Sequence, residues 1–109
     1  MKNPLFNPED FGLSTVAQIE YSSWDYEFDT RVVWKDKGGK LFTARDSGCS
    51  CPTPFDSYNT LESLDTFDWE SLEDEVGGEL GSRDSHVTPL LAKNFLASVK
   101  SAMSVPPAQ

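Results

Sequence analysis

The chain has 109 residues, 38% of them hydrophobic and 12% aromatic, and a formal net charge of -9. That is the length of one domain with enough ring residues for a packed core, and its charge sets it against nucleic-acid backbones and anionic membranes, so neither is expected as a partner. No apolar run approaches the roughly 20 residues of a membrane helix, and Met1–Phe6 lacks the apolar stretch of a signal peptide.

Residues 1–14 read as an N-terminal arm. Pro4 and Pro8 prevent a regular helix or central strand there, while Leu5, Phe6, Phe11 and Leu13 suggest an arm that lies on the domain. Residues 15–105 read as a single α+β domain, and residues 106–109 as a frayed tail.

The first strand is expected over 15–21, where Ala17, Ile19 and Tyr21 alternate with Gln18 and Glu20. The second spans 25–35. Tyr26, Phe28, Thr30, Val32 and Trp34 share one face; Arg31, Val33 and Lys35 share the other. The third covers 40–46, with Phe42 and Ala44 on one face and Leu41, Thr43 and Arg45 on the other. The intervening Asp36-Lys37-Gly38-Gly39-Lys40 allows two hairpin registers. A two-residue Gly38-Gly39 loop sets Trp34 opposite Thr43. A three-residue loop with Gly39 in the left-handed conformation pairs Asp36 with Lys40, Trp34 with Phe42 and Val32 with Ala44. The second keeps apolar residues together and opposes unlike charges, and is preferred. Its cost is Arg31 facing Arg45.

Residues 47–55, with Pro52 and Pro54, are expected to leave the sheet. A short helical turn fits 60–64. A helix is expected over 66–79 with the stripe Trp69, Leu72, Val76 and Leu80, although Gly77-Gly78 weakens its end. The last helix covers 88–104, with Thr88 as N-cap, Pro89 at the first position and a stripe of Leu91, Phe95, Val99 and Met103. The expected fold is a three-stranded antiparallel β-meander whose aromatic face packs against two C-terminal helices.

The charge is uneven. Residues 1–55 hold 8 acids and 6 bases; residues 56–84 hold 10 acids and only Arg83; residues 85–109 hold no acid and two lysines. The excess therefore falls on one central segment. Asp68, Trp69, Glu70, Glu73, Asp74 and Glu75 form its helical part. Its carboxylates are expected on the outward side of the helix, either as a solvated face or as a docking surface for a basic partner protein, including a DNA-mimic role against a nucleic-acid-binding protein.

Cys49-Ser50-Cys51 and His86 offer a second chemistry, a metal or thiol site. Zinc takes four ligands, mainly Cys and His, so these three would need Asp46 or Asp84 as a fourth. A disulfide between Cys49 and Cys51 would close a very small, strained ring, and no third group orients His86 as a base. The simpler reading is two reduced thiols in a tight turn. No cofactor and no enzymatic constellation is expected. Nor does the loop spacing of a calcium site occur.

The string from Trp34 through Asp-Ser-Gly-Cys-Ser-Cys-Pro-Thr-Pro-Phe to Asp56 resembles a family of small actinobacteriophage proteins of unassigned function that carry a similar tryptophan–hairpin–cysteine stretch. The resemblance covers about residues 24–65. It implies a phage product acting in the host cytoplasm and brings no known activity. Together these features point to a phage accessory protein that binds a host or phage protein through its acidic surface. Neither that partner's identity nor the oligomeric state is written in the sequence.

Overall fold

The computed structural model describes residues 3–22, 27–49, 55, 60–82, 85 and 87–104. The fold is α+β, with an antiparallel sheet and two C-terminal helices, α1 (Trp69–Leu80) and α2 (Pro89–Ser104). The sheet has four strands in the order β1 (Leu13–Glu20), β2 (Glu27–Asp36), β3 (Leu41–Cys49) and β4 (Asp65–Thr66). The fourth strand corrects the three-stranded expectation. Residues 65 and 66 do not open the helix; they pair with Thr43 and Phe42 along the outer edge of β3. A two-residue strand is too short to show alternation.

The β2–β3 register is the three-residue-loop register. Trp34 faces Phe42, Val32 faces Ala44 and Arg31 faces Arg45. Gly39 has φ 89°, a conformation that favours glycine, and the Asp36 N–H donates to the Lys40 carbonyl at 2.9 Å. The Asp36 carboxylate closes the turn by accepting from the N–H groups of Gly38 (2.9 Å) and Lys40 (2.8 Å). Contrary to expectation, β3 does not end at residue 46. Ser47, Gly48 and Cys49 continue the ladder opposite Asp29, Phe28 and Glu27.

The larger correction concerns the two faces of the sheet. The aromatic face does not meet the helices. Val32, Trp34 and Ala44 pack with Leu13, Phe55 and Leu64, and Leu5, Phe11 and Phe42 lie against them. The Trp34 indole N–H donates to the Pro4 carbonyl at 2.9 Å, and the Phe55 ring meets Trp34 edge-on with centroids 5.9 Å apart. The N-terminal segment therefore does lie on the domain, and a 3-10 turn over Pro8–Phe11 leads through Gly12 into β1. The helices cover the opposite face, where Ile19, Tyr21, Val33 and Leu41 pack with Leu72, Val76, Val87, Ala92, Phe95 and Val99.

A bulge in β1 helps serve both faces. Thr15 opposes Trp34 but Ala17 opposes Val33, so one residue, Val16, is extra. Side chains alternate along a strand, so without the extra residue Leu13 and Ile19 would share a face. With it, Leu13 joins the arm side and Ile19 the helix side.

Both helices start at side-chain caps, Thr88 as expected and Asp68 in place of the expected start at residue 66. The Asp68 carboxylate accepts from the Ser71 N–H at 3.1 Å, which starts α1 at Trp69. Thr88 Oγ1 accepts from the Leu91 N–H at 3.2 Å, which starts α2 at Pro89. The helix α1 crosses Gly77-Gly78 and ends at Leu80; Leu72 and Val76 are buried, whereas Leu80 is exposed. The buried stripe of α2 is Ala92, Phe95 and Val99, with Leu91 and Met103 exposed, so the helix is rotated from the expected stripe. That rotation sets the smaller Ala92 against the sheet. The short turn over 60–64 is a 3-10 turn at Leu61–Ser63. The tail, residues 106–109, lies outside the described residues.

Candidate functional site

Helix α1 presents its acids in two directions. Glu70, Glu73 and Asp74 are exposed. Glu75 is not on the outward side, which corrects the sequence expectation. It lies beside the buried Leu72–Val76 stripe and is folded into the protein over β2 and β3.

There the Arg31 guanidinium grips the Glu75 carboxylate with two donors, Nε to Oε2 at 2.9 Å and Nη2 to Oε1 at 2.5 Å. The Tyr21 hydroxyl donates to Oε2 at 2.7 Å. Arg45 stands 3.5 Å from Oε1. It makes its own two-pronged pair with Asp29 at 2.7 Å for each bond, adds Glu79 at 2.6 Å, and its guanidinium stacks 4.4 Å from the Tyr21 ring centroid. The network explains how the sheet tolerates Arg31 opposite Arg45. Two like charges directly across a strand pair repel; here three carboxylates surround them, two delivered by α1.

The protonation states follow from this geometry. Burial alone would raise the Glu75 pKa, but the hydrogen bonds from Arg31 and Tyr21 and the two nearby positive charges outweigh it and hold the carboxyl below its ordinary value. Burial, then the bond to the Glu75 carboxylate, pushes the Tyr21 phenol well above its usual range. The bond to Asp29 raises Arg45 further still. Glu75 is thus held ionised, and Tyr21 and Arg45 protonated, at neutral pH. Charge-assisted, two-pronged pairs of this kind are strong and geometrically specific, and their role here is to clamp α1 to the sheet.

Beside the network lies a polar cleft of about 190 Å³ lined by Arg31, Thr43, Asp65, Thr66, Asp68, Ser71, Leu72 and Glu75. Arg31 is already committed to Glu75, and its Nη1 donates to Thr43 Oγ1 at 3.3 Å. Asp68 is committed to its cap. The cleft therefore offers neither a free cation for an anionic ligand nor a converging set of nucleophile and base.

Of the other residues read from the sequence, Trp69 is partly buried against the helix-side core. Cys49 is the last residue of β3 and pairs with Glu27. The Cys49 side chain, Cys51 and His86 lie outside the described residues. Among the described residues, no group of three or more His, Cys, Asp or Glu side chains could hold a metal ion, and no helix is long and apolar enough to cross a membrane. Sequence reasoning missed Tyr21, Asp29 and Glu79 as members of one cluster. A signal for it existed: the preferred hairpin register set two arginines face to face, and Glu75 and Glu79 border the apolar stripe at Leu72 and Val76.

These features define a small α+β protein with a four-stranded antiparallel sheet, an arm on one face, two helices on the other and an ion-pair cluster that ties α1 down. The chain belongs to a family described as a domain of unknown function, DUF7574, whose model matches residues 2–103. That match runs from the arm through nearly all of α2. No curated protein and no solved structure matches the chain.

Proposed function

We propose that this protein is a non-enzymatic phage accessory factor that binds a host or phage protein through the acidic surface of α1. The observation that carries the reading is the separation of the acids into two populations. Glu75 and Glu79 are spent inside, on Arg31 and Arg45. Glu62, Asp65, Asp68, Glu70, Glu73 and Asp74 are exposed, in a stretch from residue 60 to 82 that contains no Lys or Arg. The clamped helix presents Glu70, Glu73 and Asp74 in fixed positions, which favours steering and orienting a basic partner. Trp69, at the first position of α1, supplies an apolar edge beside them. The phage setting and the host cytoplasm rest on the sequence resemblance, and cytoplasmic thiols suit Cys49 and Cys51 in reduced form.

The test is affinity capture from infected host cells at low and high salt, comparing the wild-type chain with a Glu70→Lys, Glu73→Lys, Asp74→Lys variant. Glu75 is left out because its reversal would break the internal cluster. The expected outcome is a partner held at low salt, released at high salt and lost in the triple variant, whose melting temperature stays near wild type. A partner retained equally by the triple variant would sink the acidic-surface reading, as would capture of nothing at all.

A further inference from the structure

The two edges of the sheet are unlike. The β4 edge is two residues long, exposed, and carries Asp65. Short, charged edges resist pairing with another chain. The β1 edge is eight residues long, has no Pro, Gly or Lys, and its one charged residue is Glu20. Among the described residues no strand lies outside β1. The Tyr21 N–H donates inward to the Asp29 carbonyl at 2.8 Å. Antiparallel strands alternate inward and outward pairs of groups, so the N–H and C=O of Gln18 and Glu20 point outward from the sheet.

The pleat gives this stretch two different flanks. Ile19 lies on the helix side. There β1 and α2 border an open groove of about 380 Å³ whose walls include Ala17, Ile19, Leu91 and Phe95, and Leu91 is 50% exposed. Gln18 and Glu20 lie on the arm side, in a cleft shared with Leu5, Phe28 and Thr30. The exposed Glu20 accepts from the N–H groups of Ser22 (3.1 Å) and Asp29 (2.6 Å) and from the Thr30 hydroxyl. Those donors are uncharged, and among the described residues no ion pair reaches Glu20. Its negative charge is thus fixed beside the free edge without a cation.

We infer that this edge takes one added strand from a partner protein, a strand in which basic and apolar residues alternate. Residues directly opposite each other in paired strands share a face. The partner residue opposite Ile19 therefore meets Leu91 and Phe95 and is apolar. Those opposite Gln18 and Glu20 fall on the arm side, next to the Glu20 carboxylate, and are Lys or Arg. The outward N–H and C=O groups supply the main-chain bonds, and the alternating side chains supply the specificity. Charge complementarity selects this occupant. A net charge of -9 draws in a basic segment. It turns away an acidic one, and a second copy would bring its own Glu20 into the seam. The bulge at Val16 limits the pairing to residues 17–20, about 14 Å of strand at ~3.4 Å per residue. So short a seam suits a single added strand and buries far less than the ~1,200–2,000 Å² of a stable interface. The contact is transient, with a Kd on the order of 100 µM. It is separate from the acidic face of α1 and does not rest on it.

Amide NMR titration of the full chain with three capped peptides tests this. They are Lys-Val-Lys-Val-Lys-Val, Lys-Lys-Lys-Val-Val-Val with the same composition but no alternation, and Glu-Val-Glu-Val-Glu-Val with the opposite charge. Each is also titrated into the Glu70→Lys, Glu73→Lys, Asp74→Lys variant, which removes the acidic face of α1. The alternating basic peptide should shift the Gln18 and Glu20 amides saturably and slow their exchange, in wild type and triple variant alike. It should bind about tenfold tighter than either control. Gln18→Pro removes an outward N–H and leaves the β1–β2 ladder whole; Leu91→Lys sets a like charge beside the groove. Each should weaken binding about tenfold and keep the near-ultraviolet signal of buried Trp34. Shifts confined to α1 and lost in the triple variant overturn the inference while leaving the acidic-surface reading standing. No saturable shift at millimolar peptide overturns it, as does equal binding of the two basic peptides or binding that ignores both β1-edge variants. A peptide-free dimer of twice 12.1 kDa with protected Gln18 and Glu20 amides gives the edge to a second copy and overturns it too.

Discussion

Glu75→Gln is the sharpest test of the ion-pair cluster. The amide keeps the side-chain volume and the chance of accepting one bond, but it removes the negative charge between Arg31 and Arg45. Removing one partner of a buried pair costs about 3–5 kcal/mol. The Arg31 and Glu75 side chains keep 16% and 18% of their surface in contact with solvent, and Asp29 and Glu79 remain beside Arg45. Both facts reduce the cost, to about 2–3 kcal/mol. For a domain of this size that is a fall in melting temperature of about 10–20 °C, at roughly 4–8 °C per kcal/mol. Glu73→Gln, two residues away on the exposed side of α1, should stay within about 0.5 kcal/mol of wild type. Acid titration adds a second readout. The Glu75 carboxyl is held below its ordinary value of 4.5 in the folded chain, so the unfolded chain takes up that proton first as the pH falls. Its stabilisation is complete above about pH 5.5 and drains away as the pH drops through 4.5 and below. Urea melts of wild type and Glu75→Gln should therefore converge towards acid. A Glu75→Gln chain within 0.5 kcal/mol of wild type at pH 7 would refute the view that the cluster clamps α1.

Three further predictions concern packing and backbone. Gly77→Ala and Gly78→Ala sit inside α1, and an added Cβ would meet nothing within 4 Å at either position; each should stabilise the chain by about 0.5–1 kcal/mol in thermal or urea melts. Phe55 has no exposed surface and packs on Trp34, so Phe55→Ala should cost about 3–4 kcal/mol. Tyr21→Phe deletes the hydroxyl bonded to Glu75 and leaves the ring against Arg45, so a loss of about 1–2 kcal/mol is expected. The same phenol, held protonated in the folded chain, makes wild type lose stability above pH 10, and the variant should lack that component of the alkaline loss.

The hairpin register and the start and N-cap of α2 were legible in the sequence. They depend on residues close together in the chain: alternation on either side of Gly38-Gly39 and Thr88 just before Pro89. The strand β4 was not legible, since two residues carry no periodicity. The role of Glu75 was also hidden. Along α1 it resembles Glu73 and Asp74, and its partner Arg31 is 44 residues away.

The sequence by itself determined where the charge lies, where the three long strands and two helices fall to within a few residues, and that two arginines would oppose each other in the hairpin. Only the tertiary structure decided which face of the sheet the helices cover. Val32, Val33 and Trp34 are consecutive and all fully buried, so both faces needed a cover, and the alternation alone is symmetric between them. The extra residue in β1, the seat of the Trp34 indole on the Pro4 carbonyl and the carboxylates brought by α1 to Arg31 and Arg45 broke that symmetry. The arm went to the aromatic face and the helices to the arginine face, where α1 adds Glu75 and Glu79 to the Asp29 carboxylate around Arg31 and Arg45.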